Sequence, residues 1–167
     1  FAREVQLAAA RRDKADALDA LRRLCAAPEE KSNWPWTAAD AAMVSAKWTK
    51  PADRIYEEAL ARPETPPAVG DVWAGRAGAF AAMRVSRKLR GLLPAGGQPA
   101  LRALRRHFAH LGETSSRLVL RRSLRRNRAA VLADPDAWAM AGYALRRAGR
   151  PLAALKWMAD AATREGV

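Results

Sequence analysis

Few residues in this chain have the type and spacing to do chemistry. His107 and His110 stand three apart, the spacing at which two imidazoles on one helix face share a metal ion. The expectation is that no Cys, Asp or Glu lies near them in the helical pattern, and Arg105 and Arg106 would oppose a cation, so the pair reads as packed or solvated imidazoles. Ser115, Ser116 and Ser123 have no base at a fixed spacing to activate a nucleophile. Glu57-Glu58 reads as solvated helix surface, and Gly96-Gly97 lacks the following Lys-Ser/Thr of a phosphate cradle. Cys25, the one cysteine, lies beside Leu21 and Leu24 and reads as a buried, inert thiol. The expectation is a protein with no catalytic residue, no metal and no cofactor.

The arginines are the stronger signal. Of a formal net charge of +13, residues 72–133 supply the whole: they hold 14 Lys/Arg against a single acid, Glu113. The flanking segments are close to neutral. Arg102, Arg105 and Arg106 share the expected outward face of one helix, and Arg117, Arg121, Arg122, Arg125, Arg126 and Arg128 crowd the next. A solvated face normally mixes signs, and like charges at helical spacing repel. A counter-surface of phosphates or carboxylates relieves that repulsion, and the planar guanidinium fork grips either one bidentately. These nine arginines are the expected partner-binding residues.

The elements that must position them are helices. Ala, Leu and Arg dominate, and no run alternates as a strand does. The longest apolar run falls short of the ~20 residues of a membrane span. Residues 2–26 read as helix bent near Arg12-Asp13-Lys14, with a stripe of Leu18, Leu21 and Leu24. Helices from Thr37 to Trp48 and from Pro51 to Ala61 follow, and then a stiff proline-rich loop over Arg62 to Gly70. Asp71 is expected to cap a longer helix carrying Trp73, Phe80, Met83 and Leu89, ended by a loop at Leu93 to Gly97. Helix 98–111 buries Leu101, Leu104, Phe108 and Leu111, with Gly112 as its C-terminal cap. Helix 113–133 turns Leu120, Leu124 and Val131 inward before Asp134-Pro135. A final pair breaks at Ala148-Gly149-Arg150-Pro151. Eight or nine helices are expected in one domain, 1–167.

Two stretches share the grammar of an antiparallel helix pair. Superposing Trp36 on Trp138 matches Ala52 to Ala154, Tyr56 to Met158 and Ala59 to Ala161. The offset is 102 residues, three steps of 34, a period typical of stacked helical hairpins. With Gly149 at the turn and the closing Arg164-Glu165-Gly166-Val167, residues 136–167, and less closely 34–66, resemble the tetratricopeptide and pentatricopeptide repeats. The basic stretch 72–133 is irregular. The resemblance implies a right-handed all-α solenoid of degenerate hairpins, in which these small and aromatic residues do the repeat packing.

Pentatricopeptide proteins usually read single-stranded RNA one base per repeat. The reading positions carried onto this chain are Met140, Ala38 and Ala68, and none can make the hydrogen bonds, so the base code is absent. A short, basic chain of this class resembles the small repeat subunits on the catalytic heads of euglenozoan mitochondrial ATP synthases, and mitochondrial ribosomes recruit such chains too. The expected function is therefore a structural subunit that docks on protein partners of a mitochondrial assembly through its arginine face. Sequence-nonspecific RNA binding through phosphates is the alternative. The opening residue, Phe1, fits a matrix protein that has lost a targeting segment, or a piece of a bacterial cytoplasmic one.

Overall fold

The computed structural model describes residues 1–28, 32–75, 79–114 and 116–162, without the side chains of residues 79, 80, 161 and 162. The expected core roles of Phe80 and Ala161, Ser115, and the closing Arg164-Glu165-Gly166-Val167 lie outside the described residues. Among those described the chain is all-α: α1 Ala2–Ala10, α2 Lys14–Cys25, α3 Trp34–Ser45, α4 Thr49–Leu60, α5 Pro67–Ala74, α6 Ala79–Thr114, α7 Arg117–Arg126, α8 Arg128–Ala133, α9 Pro135–Arg147 and α10 Pro151–Ala162. Among the described residues ten helices replace the expected eight or nine, and the chain groups into two compact units. The first comprises Phe1–Trp73 and Ala95–Arg102, the second Ala74–Pro94 and Ala103–Val167.

In the first unit, α1–α2 and α3–α4 are hairpins turned in the same way. Each first helix ends in a residue in the left-handed conformation, Arg12 at φ 60° and Lys47 at φ 63°. The next N–H then reaches back five residues, Asp13 to the Ala8 carbonyl and Trp48 to the Met43 carbonyl, both at 2.9 Å. This is the Schellman closure, which satisfies carbonyls a helix end leaves open. Asp13 also caps α2, accepting from the Asp16 N–H at 3.1 Å. The hairpins pack like on like, α1 against α3 and α2 against α4. Trp36, almost fully buried, donates its indole N–H to the Leu24 carbonyl at 3.3 Å, so it ties the second hairpin to the first. Ala52, Tyr56 and Ala59 are buried with it. Cys25 lies in this core, and burial pushes its thiol up to about 12.

The proline-rich loop is shorter than expected because Pro67 opens α5, where the missing N–H costs nothing. Asp71 consequently lies inside a helix rather than at its cap. Its carboxylate accepts from Arg102 Nε and from Asn33 Nδ2, each at 2.8 Å.

The expected loop over Leu93 to Gly97 narrows to a break at Gly97, whose φ 54° and ψ −139° are not helical, so α6 is two helical stretches joined at a sharp kink. Gly112 lies within the helix rather than at its end, against Tyr143 and Ala144.

In the second unit Val85, Leu89, Leu104, Phe108, Leu111, Leu120 and Val131 form the core. The single helix expected over 113–133 is broken at Asn127, whose φ −109° and ψ 19° lie outside the helical range and whose side-chain Nδ2 donates to the Ser86 carbonyl at 3.1 Å. The last hairpin, α9–α10, turns at Gly149 with φ 71°, and Arg150 N–H reaches Leu145 at 3.0 Å. It is locked by a reciprocal pair: Trp138 Nε1 donates to the Trp157 carbonyl at 3.3 Å and Trp157 Nε1 to the Trp138 carbonyl at 3.2 Å. Trp157 therefore takes the buried place that the repeat alignment assigned to Met158. Met158 is 41% exposed, its sulfur lying over Gly142 where a Cβ would meet it at 2.7 Å.

Three hairpins thus share one turn geometry, at Arg12, Lys47 and Gly149. Ala17, Ala52 and Ala154, each five residues on, are all buried. The α1–α2 copy escapes the tryptophan alignment because Phe1 stands where the others carry Trp36 and Trp138.

Candidate anion-binding site

The basic stretch does not form one face. Arg102 belongs to the first unit and is held by Asp71. Arg105 grips Asp134 with its fork, Nε at 2.8 Å and Nη2 at 2.6 Å, and reaches Asp136 at 3.2 Å. Arg106 pairs with Glu113 at 3.1 Å. These three guanidinium groups are engaged with carboxylates of this chain. Arg117 lies over Gly149, and Arg128 stands 5.5 Å above the Trp157 ring.

Of the expected residues that remain, Arg122, Arg125 and Arg126, but not the exposed Arg121, line a groove of about 950 Å³ in the second unit, between the first half of α6 and α7–α8. Arg87 and Arg90 line it from α6, and Arg122, Arg125 and Arg126 from α7. Met83, Leu93, Pro94, Ala129 and Ala130 supply its apolar surface, and no carboxylate among the described residues lines it. A hollow of about 680 Å³ adjoins it, sharing Arg125, Arg126 and Ala129 and adding Arg128.

Local sequence explains the presentation. In α7, Val119, Leu120 and Ser123 are buried, so Arg121, Arg122 and Arg125 are left outward. The break at Asn127 keeps α7 against α6, since Ser86 receives both Asn127 Nδ2 and Arg126 Nη1, the latter at 3.3 Å. Asn127 Oδ1, buried at the groove wall, has no donor among the described residues.

Arg87 and Arg90 were not singled out by sequence reasoning. Their one-turn spacing was visible, but only the packing of α6 on α7 makes them the second wall of a site.

His107 and His110 are buried rather than solvated. His107 Nε2 stands 3.0 Å from Ser123 Oγ, the first half of a nucleophilic dyad, but both residues are fully buried and no substrate reaches them. Burial, and then the neighbouring His110, lowers the His107 pKa to about 3. His110 is lowered as well, by burial and then by Arg106. Glu113, one turn on from His110 on the same helix face, approaches its Nδ1 to 3.8 Å, so an acid does lie near the pair, contrary to expectation. No group of three His, Cys, Asp or Glu among the described residues is placed to hold a metal ion. None of the described helices is long and apolar enough to cross a membrane.

Asp134 sustains the geometry beside the groove. It caps α9, accepting from the Ala137 N–H at 2.9 Å while Arg105 grips the same carboxylate. The hydrogen bond from Arg105 holds its carboxyl below the usual range. Asp134→Ala is expected to cost about 2 kcal/mol in urea unfolding, since cap and charged partner go together. Asp134→Asn, which keeps a capping oxygen, should recover roughly half of that. Equal stability of all three proteins would mean that neither contact holds in solution.

Comparison with protein-family models, curated proteins and solved structures finds no match for this chain. The fold and the groove therefore define the protein only as an all-helical chain of two compact units, one carrying an arginine-lined cleft.

Proposed function

We propose that the chain is a non-catalytic docking subunit of a larger assembly, joined to its partner through the arginine-lined groove of its second unit. The observation that carries this is the groove itself: five arginines line it, with no carboxylate among its described lining residues. Elsewhere in the same unit Arg105 and Arg106 are neutralised within the chain, so the unbalanced charge is concentrated where a partner can reach it. Stacked hairpins with a shared Schellman turn support the reading of a degenerate tetratricopeptide- or pentatricopeptide-like solenoid, a scaffold that binds along its surface. The setting that best fits these features is a mitochondrial matrix assembly, with the catalytic head of an ATP synthase or a mitoribosome as candidates. RNA held by its phosphates is the competing outcome. It is disfavoured because, among the described residues, no aromatic ring lines the groove to stack a base.

The test is recovery of the tagged chain from native extract at moderate salt, with and without ribonuclease. A fixed set of proteins that survives ribonuclease supports the docking subunit. Recovery that collapses with ribonuclease and falls steeply with salt overturns it in favour of phosphate binding.

A further inference from the structure

Resting on the docking reading, we infer that the groove receives an acidic, amphipathic α-helix of the partner protein. Three features of the groove bear on its occupant. The first is charge: Arg87 and Arg90 stand one turn apart on α6, opposite Arg122, Arg125 and Arg126, spaced three and four apart on α7. Rows of cations at helical spacing complement carboxylates at helical spacing, and such an occupant relieves the like-charge repulsion along α7. The second is the apolar surface between the rows, from Met83, Leu93 and Pro94 on one side and Ala129 and Ala130 on the other. A sugar–phosphate chain leaves that surface uncovered, whereas a helix with an apolar stripe beside its acids covers it. The third is size: 950 Å³ matches about two turns of a helix ~10–12 Å across.

The experiment uses the full chain and fluorescence anisotropy. One probe is a labelled peptide of about 20 residues with glutamates and leucines repeating at helical spacing on adjacent faces. A second has the same composition with the pattern scrambled, and a third is a single-stranded RNA of about 12 nucleotides. The patterned peptide should bind at least ~10-fold more tightly than the scramble or the RNA. Arg87→Glu with Arg90→Glu, or Arg122→Glu with Arg125→Glu, should each weaken it at least ~10-fold. Arg3→Glu with Arg22→Glu, exposed positions in the first unit, changes the net charge equally and should leave affinity within about twofold.

Circular dichroism checks the fold, and glutamine variants replace any glutamate pair that fails to fold. Equal binding of the scramble, tighter binding of the RNA through the same arginines, or no binding of the peptide overturns the proposal. Ribonuclease-resistant partners that still bind the Arg122→Glu/Arg125→Glu chain would remove the groove from the interface and leave the assembly reading standing. A peptide that binds as expected, with no protein partners in the extract, would instead count against the assembly reading alone.

Discussion

Gly96→Ala is expected to destabilise the protein by about 3 kcal/mol or more, while Gly91→Ala, five residues earlier on the same helix, should stabilise it by up to ~1 kcal/mol. Gly96 does not take a positive φ, so the exclusion is one of space. A Cβ there would lie 2.2 Å from the Leu60 carbonyl oxygen and 2.6 Å from the Ala100 Cβ. Neither neighbour is the far end of a flexible side chain, so α6 must move off the end of α4 to admit a methyl group. At Gly91 nothing lies within 4 Å, and alanine simply removes the entropy that glycine loses in a helix. Urea unfolding of the two variants and the parent measures both signs. Matching midpoints for parent and Gly96→Ala would mean that α6 does not approach Leu60 this closely. The kink one residue later has a second cause, since Gly97 holds φ 54° with Pro63 Cβ 3.0 Å from where its own Cβ would be.

The second large effect is acid lability arising from His107. Its imidazole is fully buried, and its pKa is lowered to about 3 by burial and by His110. In the unfolded chain the same group takes a proton near ~6.5. Between those values the unfolded state binds more protons, so stability falls as pH falls, by about 1.4 kcal/mol per pH unit from this residue. Below about 3 both states are protonated and this contribution stops changing. His110, lowered in the same direction, adds to the loss. Asp134 has the opposite ionisation but the same consequence: its depressed pKa stabilises the fold above the carboxylate range and that stability is lost as pH falls through it.

Unfolding midpoints in urea should therefore drop from pH 6.5 to pH 4.5, before most carboxylates titrate. His107→Gln keeps a side chain able to hydrogen-bond Ser123 and should flatten that slope by about 1.4 kcal/mol per unit. An unchanged slope in the variant would show that His107 is protonated in the fold.

The sequence by itself determined the helical class, most of the breaks between helices, and the concentration of positive charge in 72–133. Helical periodicity, Pro and Gly punctuation and net charge are local quantities, readable without knowing what touches what. It also carried the hairpin pattern of Trp36, Ala52 and Ala59, because small and aromatic residues recur where helices of a pair approach closely.

Where it misled, long-range contacts decided. Helix 113–133 reads as continuous until Asn127 reaches 41 residues back to Ser86. Leu93 to Gly97 reads as a five-residue loop, whereas the structure confines the break to Gly97, beside Pro63. Asp71 reads as a cap until Arg102 and Asn33 claim its carboxylate.

The site divides in the same way. Composition located the arginines, but tertiary structure decided that Arg105 and Arg106 are neutralised by Asp134, Asp136 and Glu113, while Arg87 and Arg90 join Arg122, Arg125 and Arg126 around one groove. A guanidinium group's availability depends on which carboxylate lies within reach of its fork, and that distance exists only once the helices have packed.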